Sequence, residues 1–239
     1  RGLGDVYKRQ IEYLDITSGQ FTHYNKSTVP GLPCEQTWTV LDGGDGNLYI
    51  GHVGSGFSIL SLKDKSVKNF RNEAGNPMSL PGNDVFCIIK DTNGNIWLGT
   101  NKGLALYNAA NENFITFKKN KNDKYDTLCS RILSIRQLKD NKLWIASELN
   151  GIAILNLKQS MFLSPEEISL EYIQEGADNR SLSNASARCI FQDSFDNIWI
   201  GTWGGGINFI SSKPPLFTTL SYSPIPNNEN SLNNKVASS

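Results

Sequence analysis

Asn95-Ile-Trp-Leu-Gly99 is the second of four closely related segments in this chain. The other copies are Asn47-Leu-Tyr-Ile-Gly51, Lys142-Leu-Trp-Ile-Ala146 and Asn197-Ile-Trp-Ile-Gly201. Their central aromatic residues are 48, 47 and 55 positions apart. A repeat of about 50 residues is typical of propellers and solenoids. The spacing therefore predicts one repeat array that occupies nearly all of the 239 residues.

Each copy of this segment, called here the signature strand, is predicted to be buried on both faces. Ile96, Trp97 and Leu98 are apolar without alternation, and turn sequences rich in Asn, Asp and Gly flank them. In a sheet of short antiparallel hairpins, two buried faces require another sheet on each side. One repeat has room for four strands. The predicted fold is therefore all-β, a β-propeller fragment built from four-stranded antiparallel blades.

A second anchor, a recurring leucine, sets the predicted blade boundaries. Leu80 and Leu182 follow Pro77-Met-Ser and Asn179-Arg-Ser. The prediction is about four complete blades and a partial blade at each end, although the two end pieces could also close a fifth blade. The predicted units are the last strands of a preceding blade at 11–30, blades at 31–78, 79–126, 127–180 (with a hairpin insertion at 158–167) and 181–230, and the first strand of a following blade at 231–239.

Composition excludes several classes of partner. Lys plus Arg and Asp plus Glu both number 23, so no net charge attracts the chain to nucleic acid or to an anionic membrane. No apolar run is long enough to span a bilayer, and no signal peptide is present in these residues. Arg1 to Gln10 fit no part of the repeat and are interpreted as a non-native leader.

The four cysteines fall at repeat-related positions. Cys87 and Cys189 each precede their tryptophan by ten residues, while Cys34 and Cys129 precede their aromatic residue by fifteen. The members of each pair belong to blades that are not neighbours in an array. They are predicted to be buried free thiols and do not indicate a redox compartment.

The sequence offers no set of residues for catalysis. Only two histidines occur, and no His, Cys or carboxylate cluster has metal-ligand spacing. The run Gly201-Thr-Trp-Gly-Gly-Gly206 lies between two strands, whereas a phosphate-binding loop needs a helix N-terminus behind it. No catalytic residue, metal or cofactor is predicted. The repeated Asp42, Asp91 and Asp193 precede turns and are interpreted as turn-stabilising residues.

Binding is expected where the copies differ at one end of the blades. The turn between second and third strands and the linker between blades emerge at that end, where successive blades converge around the axis. Trp203 leads the candidates because an aromatic ring among glycines can stack on a sugar or a partner, although a structural role over the blade edge stays open. For the charged candidates, a solvated loop charge is the alternative. The candidates are Trp203, Trp38, His52, Asn101, Lys102, Arg131, Glu148 and Arg188.

The repeat resembles a known family. Asn76-Pro-Met-Ser-Leu-Pro-Gly-Asn-Asp-Val85 followed by Gly94-Asn-Ile-Trp-Leu-Gly-Thr100 is similar to the two-component regulator propeller repeat, and residues 181–207 are more similar still. The resemblance covers residues 11–239. The departures are Tyr49 for Trp in copy one, and Leu138 for Asp and Ala146 for Gly in copy three.

This resemblance implies a segment of the periplasmic sensor region of a hybrid two-component regulator, with the histidine kinase outside these residues. In that family the sensor typically recognises glycan fragments, and the propellers hold no catalytic residues. It implies an oligosaccharide ligand and contacts with the remaining blades and signalling domains of the parent chain. Two alternatives remain: a non-catalytic scaffold or dimerisation propeller that forms a homodimer, and a lyase or hydrolase propeller.

Overall fold

The computed structural model describes residues 11–33, 36–117, 125–157, 170–178 and 180–213. Within those residues the regular structure is almost entirely β-strand, with a 3-10 turn at Thr127–Cys129. The strands are β1 (Ile11–Leu14), β2 (Phe21–Tyr24), β3 (Gln36–Asp42), β4 (Asn47–Val53), β5 (Phe57–Ser61), β6 (Val67–Phe70), β7 (Val85–Lys90), β8 (Ile96–Thr100), β9 (Gly103–Asn108), β10 (Asn113–Thr116), β11 (Ile132–Gln137), β12 (Lys142–Ser147), β13 (Ile152–Asn156), β14 (Leu170–Ile173), β15 (Ala187–Gln192), β16 (Ile198–Thr202) and β17 (Gly206–Ile210).

The strands form antiparallel sheets in simple chain order. Blade one contains β3 to β6, blade two β7 to β10, blade three β11 to β14, and blade four β15 to β17, while β1 pairs with β2. The first strands of successive blades contact one another, β3 with β7, β7 with β11 and β11 with β15. These strands therefore line the axis, and the all-β fold of propeller blades is confirmed.

The signature strands lie between blades, as predicted from their unbroken apolar sequence. All five residues of β8 are buried. Ile96 and Leu98 pack in one core cluster with Phe57 of blade one. Trp97, on the opposite face, packs in a second cluster with Ile132 of blade three. The signature strands of blades one to three thus join the preceding blade to the following one. The prediction fails for one face of the fourth copy, where Trp199 is 39% exposed because the described residues include no blade beyond blade four to cover it.

The glycine that ends the signature strand makes room for the next blade. A Cβ atom on Gly99 would lie 2.7 Å from a methyl carbon of Ile132 and 2.5 Å from the Cys87 sulfur. Copy three has Ala146 at this position, and the residue equivalent to Ile132 in blade four is Ala187. Both alanines are fully buried in one cluster. The added methyl group on one blade is matched by a smaller side chain on the next.

The turn before the signature strand repeats the same hydrogen bonds in blades two and four. One oxygen of Asp91 accepts the backbone N–H groups of Asn93 and Asn95, at 2.9 Å each. The other accepts the Asn95 side-chain amide and the Trp97 indole N–H, at 2.9 Å each. Asp91 therefore closes its turn and also accepts the indole N–H of the buried Trp97.

Asp193 repeats this network with Phe195, Asn197 and Trp199. The hydrogen bond from the Trp199 indole lowers the pKa of Asp193, and the hydrogen bonds from Asn197 and Phe195 add to this effect. The predicted turn-stabilising role of these aspartates is confirmed.

Blade three lacks this network. Leu138 stands where Asp91 and Asp193 stand in the other blades, and it is buried in the core with Trp144. The Trp144 indole nitrogen is buried, and no hydrogen-bond partner for it occurs among the described residues. Blade three therefore replaces a polar contact with an apolar one.

Cys87 and Cys189 carry free thiols, as predicted. Burial raises the pKa of the Cys87 thiol to about 12. Cys189 is exposed rather than buried, because none of the described residues packs over it.

Several sequence predictions lie outside the described residues. They are the leader Arg1–Gln10, Cys34, the insertion at 158–167, the part of the blade at 181–230 that follows residue 213, and the strand at 231–239.

Candidate ligand-binding site

The first strand of each blade contains a β-bulge near its start. Register shifts occur between Thr37 and Thr39, and at the equivalent points of β7, β11 and β15. A bulge places one extra residue in the strand and redirects its side chain, and bulges are frequent beside functional sites. The extra residues are Trp38, Phe86, Leu133 and Arg188.

Two of these bulge residues start a continuous row of contacts across the blades. The rings of Trp38 and Phe86 meet edge to face, with centroids 5.9 Å apart. The guanidinium of Arg131, just before β11, lies 4.5 Å from the centroid of the Phe86 ring. These side-chain contacts connect blades one, two and three at one end.

The row continues from blade three to blade four. Arg131 Nη1 lies 3.2 Å from Glu148 Oε2, and Arg188 Nη2 lies 3.2 Å from Glu148 Oε1. The Arg188 guanidinium lies 4.6 Å from the centroid of the Trp203 ring. We call this row the axial arc; it consists of Trp38, Phe86, Arg131, Glu148, Arg188 and Trp203.

Backbone hydrogen bonds hold the two turns that present Glu148 and Trp203. The Glu148 N–H donates to the Arg131 carbonyl at 3.0 Å, and the Trp203 N–H donates to the Ser186 carbonyl at 2.9 Å. In blade four the Thr202 hydroxyl donates to the carbonyl of Gly206, a residue with a φ of 77° that glycine tolerates. Both side chains therefore project from fixed backbone.

The arc combines exposed aromatic rings with hydrogen-bonding charges. Trp38 is 61% exposed and Trp203 is 68% exposed, so their rings are open to a ligand. Arg131, Glu148 and Arg188 lie between them and are each partly exposed. An aromatic face flanked by donors and an acceptor can stack on a sugar ring and bind its hydroxyl groups.

No catalytic or metal chemistry is apparent in the described part of the chain. It contains no group of three or more His, Cys, Asp or Glu side chains that could hold a metal ion. It also has no helix with the length and apolar character needed to cross a membrane.

A family model described as two component regulator propeller matches residues 79–102 and 181–204. Those ranges run from the linker before the first strand to the turn after the signature strand, in blades two and four. Two segments of the chain, one in blade two and one in blade four, therefore match the two-component regulator propeller repeat.

Comparisons with individual proteins agree with this family. The chain is 61% identical to the extracellular domain of a hybrid two-component system of B. thetaiotaomicron, over 98% of this chain and 27% of that one, with a TM-score of 0.73. The extracellular domain of a one-component system from the same organism is 18% identical over 83% of this chain and 29% of its own, with a TM-score of 0.65, and supports the fold alone. Histidine kinase P4 of Formosa agariphila is 33% identical over 94 residues, 37% of this chain and 7% of that protein. The chain thus spans only a small part of the length of these relatives.

The structure brings together five of the eight candidate residues proposed from the sequence. Trp38, Arg131, Glu148, Arg188 and Trp203 all lie in the axial arc. Phe86 links Trp38 to Arg131 and was missed. A signal for it existed, because Phe86 and Arg188 each directly precede a cysteine that lies ten residues before its tryptophan.

His52 was wrongly placed on the binding face. Strand β4 continues through Val53, so His52 lies in the strand instead of the turn. It is 1% exposed, and its Nε2 lies 2.9 Å from the Ser58 hydroxyl. Burial lowers its pKa to about 4. His52 therefore belongs to the interior of blade one.

Asn101 and Lys102 follow β8 in the turn of blade two. The Asn101 side-chain oxygen accepts the Asp84 backbone N–H at 3.4 Å and lies against Gly82. Asn101 therefore supports the linker between blades one and two. Lys102 is exposed, and its ligand role stays a prediction.

Proposed function

We propose that this chain is part of the extracellular, periplasmic sensor region of a hybrid two-component regulator, and that it binds a glycan-derived oligosaccharide on the axial arc. Binding would be signalled to a kinase outside these residues. The observation that carries the proposal is the arc itself, in which side chains from four blades meet between two exposed tryptophans. The similarity to an extracellular domain of such a system supports the sensor part.

The turns between the second and third strands differ in sequence from blade to blade, and this difference favours a binding role over a purely architectural one. Trp203 is not required to close its turn, because the Thr202 hydroxyl and two glycines with positive φ do so. Backbone hydrogen bonds already fix the turn that carries the Trp203 ring. Stacking of a ligand on this ring therefore costs little backbone entropy. Blades two and three have Asn-Lys and Glu-Leu-Asn in the equivalent turns, so Trp203 adds contact area at one place only.

The test is calorimetric titration of the complete extracellular region with plant, algal and host oligosaccharides. For those that bind, Trp203→Ala should weaken affinity by at least about tenfold, which is typical when a central aromatic contact is truncated. Phe195→Ala is the matched control, because Phe195 is 74% exposed on the same blade, in the turn at the opposite end. Unchanged affinity in Trp203→Ala would favour the alternative, a scaffold or dimerisation propeller that holds no ligand on this arc.

A further inference from the structure

We infer, on the basis of the proposed oligosaccharide site, that the axial arc selects sugars bearing an anionic group. A carboxylate or sulfate of the ligand would bind Arg131 and Arg188 in place of Glu148. The reason begins with charge, since two guanidinium groups share one carboxylate and leave the centre of the arc with a net positive charge.

Hydrogen-bond donors are also in excess at this centre. Each guanidinium has five N–H donors, and a carboxylate has two oxygens. Glu148 is paired with Nη1 of Arg131 and Nη2 of Arg188. The Nε of Arg188 is buried, and no hydrogen-bond partner for it occurs among the residues that the structure describes. A tetrahedral sulfate or a second carboxylate could use donors that Glu148 leaves free.

The two guanidinium groups are held without help from Glu148. Each lies over an aromatic ring, with Arg131 4.5 Å from the centroid of Phe86 and Arg188 4.6 Å from that of Trp203. A stacked guanidinium keeps its N–H groups at the edge, where they can bind an anion. An incoming anion would therefore meet a pair of donors already positioned, which reduces the entropy cost of binding.

Glu148 itself can leave without disturbing the fold. Its turn is closed by the Ser147 hydroxyl, which accepts the Asn150 N–H at 2.9 Å, and by the backbone bond from Glu148 to Arg131. The Glu148 side chain is 27% exposed, and ion pairs that remain in contact with solvent contribute only modestly to stability. Glu148 thus occupies the anion position when no acidic ligand is present.

The experiment compares acidic sugars with neutral forms of the same sugars in the complete extracellular region. The probes are tetragalacturonate and its methyl ester, and a sulfated carrageenan tetrasaccharide and its desulfated form. Affinities are measured by calorimetry for the wild type, Glu148→Gln and Trp203→Ala. Glu171→Gln is the matched control, because Glu171 is an exposed carboxylate of blade three that pairs with Lys142 away from the arc.

At least one acidic probe should bind about tenfold more tightly than its neutral form, since hydrogen bonds to a charged group are the stronger class. Glu148→Gln should tighten that acidic probe by roughly three- to tenfold and leave its neutral form unchanged, because it removes a competing negative charge. Glu171→Gln should change neither. The two acidic probes separate a carboxylate-selective arc from a sulfate-selective one.

Weaker binding of the acidic probe in Glu148→Gln, equal affinity for both members of each pair, or no binding of either acidic probe would overturn the inference. Trp203→Ala separates the two levels of the account. If it weakens a neutral oligosaccharide while Glu148→Gln does so too, the oligosaccharide site stands and anion selection fails. If it changes no affinity, the proposed function fails as well.

Discussion

The two turns that flank the signature strand differ in what the copies preserve. The turn before the strand has the same aspartate network in blades two and four. The turn after it keeps only a frame, a threonine hydroxyl bonded to a glycine carbonyl, 2.8 Å in blade two and 3.1 Å in blade four. Within that frame Asn101-Lys102 is replaced by Trp203-Gly204-Gly205. Repeated side chains close the blade, and side chains that vary are presented to solvent.

The sharpest contrast is between two tryptophans. Trp97 is 3% exposed between blades two and three, whereas Trp203 is 68% exposed. Trp97→Ala should lower the free energy of unfolding by about 3 to 5 kcal/mol, the usual cost of truncating a large core side chain. Trp203→Ala should change it by about 0.5 kcal/mol or less. Denaturant unfolding followed by circular dichroism measures both changes. Equal losses of stability would remove the distinction between the buried signature strand and the variable turn that follows it.

The aspartate network gives the next largest effect. Asp91→Leu copies the residue found in blade three and leaves the Trp97 indole and two backbone N–H groups without their acceptor. We expect a loss of about 2 to 3 kcal/mol in unfolding free energy.

The reverse change in blade three, Leu138→Asp, should alter stability by about 1 kcal/mol or less. It would supply an acceptor to Trp144 but lose apolar contacts. Both variants are measured in the same denaturation series. An unchanged free energy of unfolding in Asp91→Leu would show that the repeated aspartate reflects common ancestry of the blades and does not stabilise them.

His52 provides a pH-dependent effect of similar size to that of Asp91→Leu. Its pKa is lowered from 6.5 to about 4 in the folded protein by burial, so the unfolded chain binds the proton more readily. Stability should therefore fall as pH drops from 6.5 towards 4, by roughly 2 to 3 kcal/mol. His52→Gln should flatten this part of the curve relative to wild type. Parallel curves for wild type and His52→Gln in urea unfolding at several pH values would contradict the burial of His52.

Periodicity was sufficient to predict the blades. Ile96-Trp97-Leu98 is apolar at every position, and both faces of a strand with this sequence must be covered by neighbouring sheets. Few folds other than a propeller provide this arrangement in a repeat of this length. The partner of the repeated aspartate, the tryptophan six residues later, was not predicted because the pairing depends on how the hairpin folds back. Leu138 replaces the repeated aspartate in blade three. The consequence of this replacement is visible only in the structure, where the Trp144 indole has no hydrogen-bond partner among the described residues.

The site was harder to predict than the fold. The end of the blades that presents the arc follows from strand order, and five of its residues could be named from that. His52 was misplaced because the sequence does not show where β4 ends. In the structure β4 continues past Gly51, and His52 pairs with Thr37 of β3. Its side chain therefore lies in the interior beside Ser58. Phe86 was missed because β-bulges arise from pairing between strands and have no fixed local sequence.

The most direct test of the central claim is an exchange of turns. In the complete extracellular region, Trp203-Gly204-Gly205 is replaced by Asn-Lys, the pair that occupies the same frame in blade two. The account predicts that the unfolding midpoint stays the same while affinity for the bound oligosaccharide, measured by calorimetry, falls by at least about tenfold. Retained affinity together with a lowered unfolding midpoint would contradict it, because the variable turn would then serve the fold and not recognition.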